Sequence, residues 1–449
     1  MPAHRATVAT SATPPGRRRF MGFMGLMRFM RFMRFTTVAC LLAGSIAGAA
    51  AQGADATDPR GAWLTPALTY DGDVLGNLRG GARTGSTSVG NLHLRLTARG
   101  DSIGWVGTSA FLDVLTIHGG HPSRLVGDAQ GVSNIEGPAG TQIEELWLQH
   151  NFKGSSASLL AGIYDVNSEF YRLKAAGLFL NSAFGIGPEF AQSGVEGPSI
   201  FPRTSAGVRV EFKPAADTVV RAALMDGVPM VRPDGSRAIF RDGDGLLAVT
   251  EVALLTRMAA TDSAHRNARE RIGRLSALPA YDDKLALGLW HYSGRLADLS
   301  DTQPAGGPVL RSGTSGAYLI GERLLVGRDG APGRRLSAFA QIGYADPRTN
   351  RFASYVGAGL VASGRGLGGG SDELGVSIAH ATNGSHYARA WRAQTSNLSD
   401  AETTIEVTYL SQLSKHLSIQ PDVQYVMHPN TRRSVPNAWV AQLRFEIAF

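Results

Sequence analysis

The end of the chain alternates. Trp439, Ala441, Leu443, Phe445, Ile447 and Phe449 are apolar and are separated by Val440, Gln442, Arg444, Glu446 and Ala448. A period of two puts one set on each face of a strand, so the stretch predicts a half-buried β-strand with an apolar and a mostly polar face. Leu417, Ile419, Val423 and Tyr425 repeat the pattern, as do Ile405, Val407 and Tyr409. Further segments fall near 68–78, 89–98, 104–115, 143–152, 157–166, 205–213, 218–226, 247–256, 284–292, 316–326, 336–345, 352–363 and 372–381. Together they make about sixteen strands.

Their connections alternate in length. Tight turns at 100–102, 153–156, 214–217 and around Ser414 are interleaved with Gly- and Pro-rich loops at 116–142, 167–204, 227–245, 293–315, 383–400 and 428–437. Short turns at one end and long loops at the other, around an even number of strands, predict an all-β fold, a transmembrane antiparallel β-barrel of the outer-membrane type. Lipid tolerates no unpaired strand edge, so such a barrel must close. One connection departs from the rule: 258–283, containing HRNARERIGRL, is long and helical in character, and is expected as a solvated periplasmic insertion. An even strand count and the terminal Phe449 put both chain ends on the periplasmic side. Tyr164 to Thr204 then becomes the third external loop. It spans about forty residues, well beyond an ordinary connection. Its many Phe, Leu and Ile argue against disorder, so it is expected to fold inward.

Composition agrees and sharpens two points. Charged residues are only 18% and glycines number 55, which fits neither a soluble core nor a helical membrane protein. Arg5, Arg17, Arg18, Arg19, Arg28, Arg31 and Arg34 precede an apolar run from Phe35 to Ala50, so residues 1–51 are expected as a cleaved signal peptide and 52–449 as the barrel domain. That segment removes seven of the 44 basic residues and none of the 37 acidic ones, leaving 44 − 7 = 37 against 37. The high pI therefore belongs to the leader, and a nucleic-acid partner has no support. Cys40, the single cysteine, lies in the leader as well, which excludes disulfides and thiolate metal sites from the mature chain.

Several ordered segments resemble one family. VGDAQGVSNIEG (Val126–Gly137) leading into EELWLQ (Glu144–Gln149), GLFLNSAFGIGPEF (Gly177–Phe190), PSIFPRTSAGVRV (Pro198–Val210), LALGLWHYSG (Leu285–Gly294), LSAFAQIGYA (Leu336–Ala345) and LSIQPDVQYVMHPN (Leu417–Asn430) are similar to the carbohydrate-selective porins of the OprB family. The resemblance spans essentially the whole mature chain. It implies a sixteen-stranded barrel in a Gram-negative outer membrane that passes glucose and other small sugars by diffusion. The sparse loop 228–240 and the Gly-rich turn 364–370 depart from it, which bears on sugar preference.

A barrel of this size has an aqueous lumen that a loop can enter. A neutral sugar offers hydroxyls and weakly apolar faces, so a selective constriction calls for charged or amide groups and a few aromatic faces. The loop supplies Glu169, Tyr171, Arg172, Lys174, Asn181 and Glu189. Strand positions opposite the apolar alternation supply His93, Arg95, Glu145, Trp147, Arg209, Glu211, Arg444 and Glu446. Within the loop, Gly177–Phe190 is expected to anchor on the wall and Glu169–Lys174 to face the sugar. Each residue has a structural alternative: a lumen salt bridge for the Arg/Glu pairs, a pin holding the loop for Tyr171 and Trp147. Both signs of charge suit small neutral carbohydrates better than ions. Lipid is the other expected partner, with monomer and homotrimer both open. No cofactor or metal is expected, because Asp242-Gly243-Asp244-Gly245 lacks the remaining ligands of a calcium loop. His118 and His121 lack zinc partners, and Gly366–Gly370 is not followed by the Lys-Ser/Thr of a phosphate loop. The alternatives are a general non-selective porin, a barrel plugged by its own loop, and a barrel lipase or protease, for which no Ser/His/acid spacing speaks.

Overall fold

A computed structural model describes residues 63–152, 156–229, 239–256, 281–327, 334–365 and 371–449. The leader, most of the 258–283 insertion, much of loop 228–240 and the turn 366–370 lie outside the described residues.

Sixteen antiparallel strands close on themselves, each paired with its neighbours in sequence. In order they are β1 (Leu64–Arg79), β2 (Gly85–Arg99), β3 (Thr108–Gly119), β4 (Gly140–Asn151), β5 (Ala157–Tyr164), β6 (Ser205–Ala215), β7 (Thr218–Asp226) and β8 (Leu246–Thr256). They continue as β9 (Asp283–Thr302), β10 (Pro308–Val326), β11 (Arg335–Ala345), β12 (Phe352–Arg365), β13 (Ser371–Asn383), β14 (Ala401–Gln412), β15 (Leu417–Met427) and β16 (Ala438–Ala448). The seam joins β1 to β16 with Tyr70 opposite Ile447 and Asp73 opposite Arg444. Phe449 belongs to it too, exchanging backbone hydrogen bonds of 3.0 and 2.9 Å with Leu68.

Apolar side chains such as Leu285, Leu287 and Leu289 stand about half exposed on the outer face, while the alternate positions are buried. The wall is thus apolar outside and polar inside, the reverse of a soluble core. Glycine has a place in this. On the inner face Gly316 pairs with Trp290, Gly288 with Tyr318 and Gly359 with Phe339 across adjacent strands. A Cβ on Gly288 would lie 2.0 Å from the Tyr318 ring, and one on Gly316 would lie 2.2 Å from Trp290. Each ring lies flat over a glycine, a cross-strand pairing that fills the wall without filling the lumen.

Two boundaries differ from those the pattern predicts. The stretch 293–315 is no loop: β9 and β10 continue through it as a hairpin turning at 303–307, with Leu296 opposite Arg311. Beyond the lipid edge the two faces of a strand need not differ, so the apolar alternation ends while the ladder goes on. Strand β3 begins at Thr108 rather than near 104, because Gly104 and Gly107 have φ of 87° and 75° and Asp101 Oδ1 accepts the Gly107 N–H at 2.7 Å in a turn. Short helices α1 (Pro122–Val126), α2 (Pro188–Ala191) and α3 (Ser385–Arg392) all lie on loops at the end of the barrel away from the termini.

Candidate functional site

The connection 165–204 leaves β5 and is hydrogen-bonded to inward-facing side chains far around the barrel. A buried backbone must pair its N–H and C=O groups somewhere, and here the wall's side chains do it by type. Carboxylates, which only accept, take N–H groups. Glu322 on β10 accepts Lys174 N at 2.9 Å and Ala175 N at 2.8 Å. Glu406 on β14 accepts Leu180 N at 2.6 Å and Asn181 N at 3.1 Å, and Glu251 on β8 accepts Tyr171 N at 2.9 Å. Glutamine amides donate to carbonyls: Gln341 on β11 to Phe184 O at 3.1 Å and Gln420 on β15 to Leu178 O at 2.7 Å. The preceding long connection, 120–139, is held the same way by Glu402, which accepts Ala129 N and Gln130 N at 2.9 Å each. Two consecutive N–H groups on one carboxylate form a small anion-binding concavity, stronger than a neutral pairing.

Aromatic packing adds to this latch. Phe190 stacks on Trp290 at 4.9 Å, and Phe179 and Phe184 surround Phe339 at 5.6 and 5.9 Å. Tyr171, at φ 59°, occupies a backbone region costly for a bulky residue. It is fixed by its N–H on Glu251, by its ring on Tyr318 at 4.3 Å and by its hydroxyl, which donates to Glu189 at 3.0 Å. Burial holds the Glu189 carboxyl up at about 7 and the Tyr171 phenol well above its ordinary value.

Under the loop lies a network of balanced charge. Arg209 and Glu169 are 2.7 Å apart with almost no exposure, Arg221 pairs with Glu211 at 2.7 Å, and Lys284 lies 3.5 Å from Glu251. Buried ions persist only when paired in this manner.

On the opposite side, β16, β1 and β2 face a cavity of about 690 Å³ bounded by 129–136 and the third loop, and Arg95, Arg172 and Arg444 line it, with His93, Glu446, Asp71, Asn91, Thr69 and Gln130. The two strand arginines already have acids. Arg444 grips Asp73 through two bonds of 2.7 Å, and Arg95 donates to Asp113 at 2.8 Å, with His93 Nδ1 at 3.0 Å from the same carboxylate.

The other residues proposed from sequence lie elsewhere. Glu169, Arg209 and Glu211 belong to the buried network. Tyr171, Asn181 and Glu189 belong to the latch, each almost wholly buried. Glu145 accepts Asp165 N at 3.2 Å, and Trp147 is buried against Phe111 at 5.2 Å. Lys174 reaches the Tyr281 carbonyl at 3.1 Å, with its ammonium 3.8 Å over that ring. Of the stretch Glu169–Lys174, expected to face the sugar, Arg172 lines the cavity while donating to the Ser168 carbonyl at 3.3 Å, and Glu169, Tyr171 and Lys174 make the buried contacts described above. Thr69, Asp71, Asn91 and Gln130 escape sequence reasoning because no charge or aromatic ring marks most of them. Inward parity is the one signal that points to the strand positions among them. Among the described residues, Asp298, Asp301 and His386 are the one group spaced for a cation, but Arg311 bonds both aspartates at 2.8 Å, which makes it an ion-paired joint between the β9–β10 hairpin and α3.

A closed sixteen-stranded barrel with an apolar outside, a polar inside and a long connection bonded across its inner wall defines a diffusion porin of the outer membrane. The family model of the carbohydrate-selective porins, the OprB family, matches residues 100–449, and the chain belongs to that family. Porin B of Pseudomonas aeruginosa is 23% identical over 464 aligned positions, covering 92% of this chain and 97% of that protein. The high-pH structure of Pseudomonas putida OprB superposes with a TM-score of 0.71 at 19% identity, covering 86% of this chain and 94% of that one. The chain is an outer-membrane sugar porin.

Proposed function

We propose that the protein admits small neutral sugars such as glucose to the periplasm by passive diffusion, without catalysis, and that the third loop, folded inward, leaves the gap along β16, β1 and β2 as the selective passage. The observation that carries this is the pairing of charge at the cavity wall: Arg444 and Arg95, which line it, are bonded to Asp73 and Asp113 and offer hydrogen-bonding groups without a large net field. Such a wall favours an uncharged polyol over ions, whereas a phosphate pore needs unpaired cations. In this reading residues 1–51 are removed on export and the apolar outer band meets lipid. Liposomes bearing the purified protein should swell in glucose faster than in a larger disaccharide. Swelling equal to that of empty liposomes would overturn the reading.

A further inference from the structure

Asn91 lies on β2 beside the cavity, directly opposite Asp71 of β1. It is only 1% exposed, and among the described residues it is the one buried amide with both its Oδ1 and its Nδ2 unpartnered. Thr69 Oγ1, on the same face of β1, and Gln130 Oε1 from the facing connection are likewise buried and unpartnered, and both residues line the same cavity. A buried amide without partners is costly, so it needs an explanation. The fold does not supply one. Inner-face glutamines and glutamates such as Gln341, Gln420, Glu322 and Glu406 are spent on the loop backbone, and the strand arginines nearest Asn91 are spent on aspartates.

We infer that Asn91 is a specificity-determining residue that reads a pair of adjacent hydroxyls on the passing sugar. An amide sets one acceptor beside one donor. A vicinal diol answers both, because each hydroxyl can donate or accept. Thr69 and Gln130 extend the same neutral set, so the subsite takes an uncharged polyol and gains nothing from a carboxylate or phosphate. The inference rests on the sugar-passage reading above, and its test separates the two.

In planar bilayers, glucose binding is read as the reduction of ion current with rising glucose. Asn91→Leu, of similar size without hydrogen bonds, should weaken glucose binding about ten-fold, since a polar site rejects a solute that leaves its groups unpaired. Step-wise channel insertion in potassium chloride alone shows a folded pore, and the glucose effect is read relative to that variant's own open-channel current. Thr69→Val, a second and milder change, should weaken glucose binding by a smaller factor in the same direction. Wild-type affinity in both variants would overturn the assignment and leave Asn91 a group bound to internal water only. A wild-type channel with neither current reduction nor glucose permeation would overturn the sugar-passage reading itself.

Discussion

The two halves of the inner wall use the same polar residue types for opposite ends. From β6 round to β15, glutamates, glutamines and arginines turn inward and are consumed by the third loop or by one another. From β16 through β1 to β2, ion pairs are closed locally, and Asn91 and Thr69 are left with nothing to bond. The difference is one of where the partner sits. Glu406 meets Leu180 and Arg209 meets Glu169 on the loop, whereas Arg95 and Asp113, and Arg444 and Asp73, pair between neighbouring strands of the wall. The first half seats the loop; in the proposed reading the second is the surface that faces solute. If this division is real, changes on the two sides must differ in size, and in one case in sign.

The largest effect is expected from Arg209. Truncation to Ala strands Glu169 without its main partner in a site of almost no exposure. Removing one member of a buried pair costs about 3–5 kcal/mol. Urea unfolding in detergent micelles should report that loss. A loss no larger than that of an exposed pair such as Arg348 and Asp346, worth less than about 1 kcal/mol, would show that the loop does not bury the network.

Next come the carboxylate clamps. Glu322→Ala and Glu406→Ala each release two loop N–H groups, at about 1.5–3 kcal/mol for charge-assisted bonds. Here function should move with stability: the freed loop should raise single-channel conductance and erase the difference between glucose and disaccharide swelling. Unchanged conductance in the double variant would break the comparison, because the seat would then hold nothing that narrows the pore.

How much of this is legible in the sequence follows from what each signal encodes. A period of two fixes which face a residue takes, so the inward positions Arg95, Glu145, Arg209, Glu211 and Arg444 can be read from alternation alone. The barrel, its strand number and the length of the third loop follow from the same pattern. Alternation has no term for what stands opposite. It cannot single out Glu251, Glu322 and Glu406 as the loop's acceptors, and it leaves Glu169 and Tyr171 looking like solute contacts, because their partners lie tens to hundreds of positions away. Charge and aromaticity draw attention to residues that the fold then pairs off. Asn91 and Thr69 carry neither mark.

A smaller effect is expected from pH. Burial holds the Glu189 carboxyl at about 7, above its range in an unfolded chain. A folded value raised in this way means that its contribution to the seat is whole below the ordinary carboxyl range and is lost as pH rises through about 7. Amide exchange in residues 170–190, corrected for its intrinsic pH dependence, should quicken between about pH 4.5 and 7. Glu189→Gln should flatten the profile. Exchange that slows with rising pH would place the titrating group elsewhere.

The smallest effect is the one that tests the sign. Asp71 is half-buried beside the cavity and stands directly opposite Glu446 across the β1–β16 seam. Like charges facing each other across two strands cost about 0.2–1 kcal/mol. Neutralising an acid on the loop's side of the wall removes an acceptor the fold needs, but Asp71→Asn removes the repulsion from Glu446 together with an attraction to Arg444 smaller than that of Asp73, which stays in place. The variant should therefore be more stable than wild type by a few tenths of a kcal/mol. Its reversal potential in a salt gradient should shift toward anions, since one negative charge has left the passage, while glucose permeation persists. A destabilisation as large as that of Glu322→Ala would mean that β16, β1 and β2 are tied into internal structure no less firmly than the wall they face. The open side of the lumen would then lose its claim to be the side that meets the sugar.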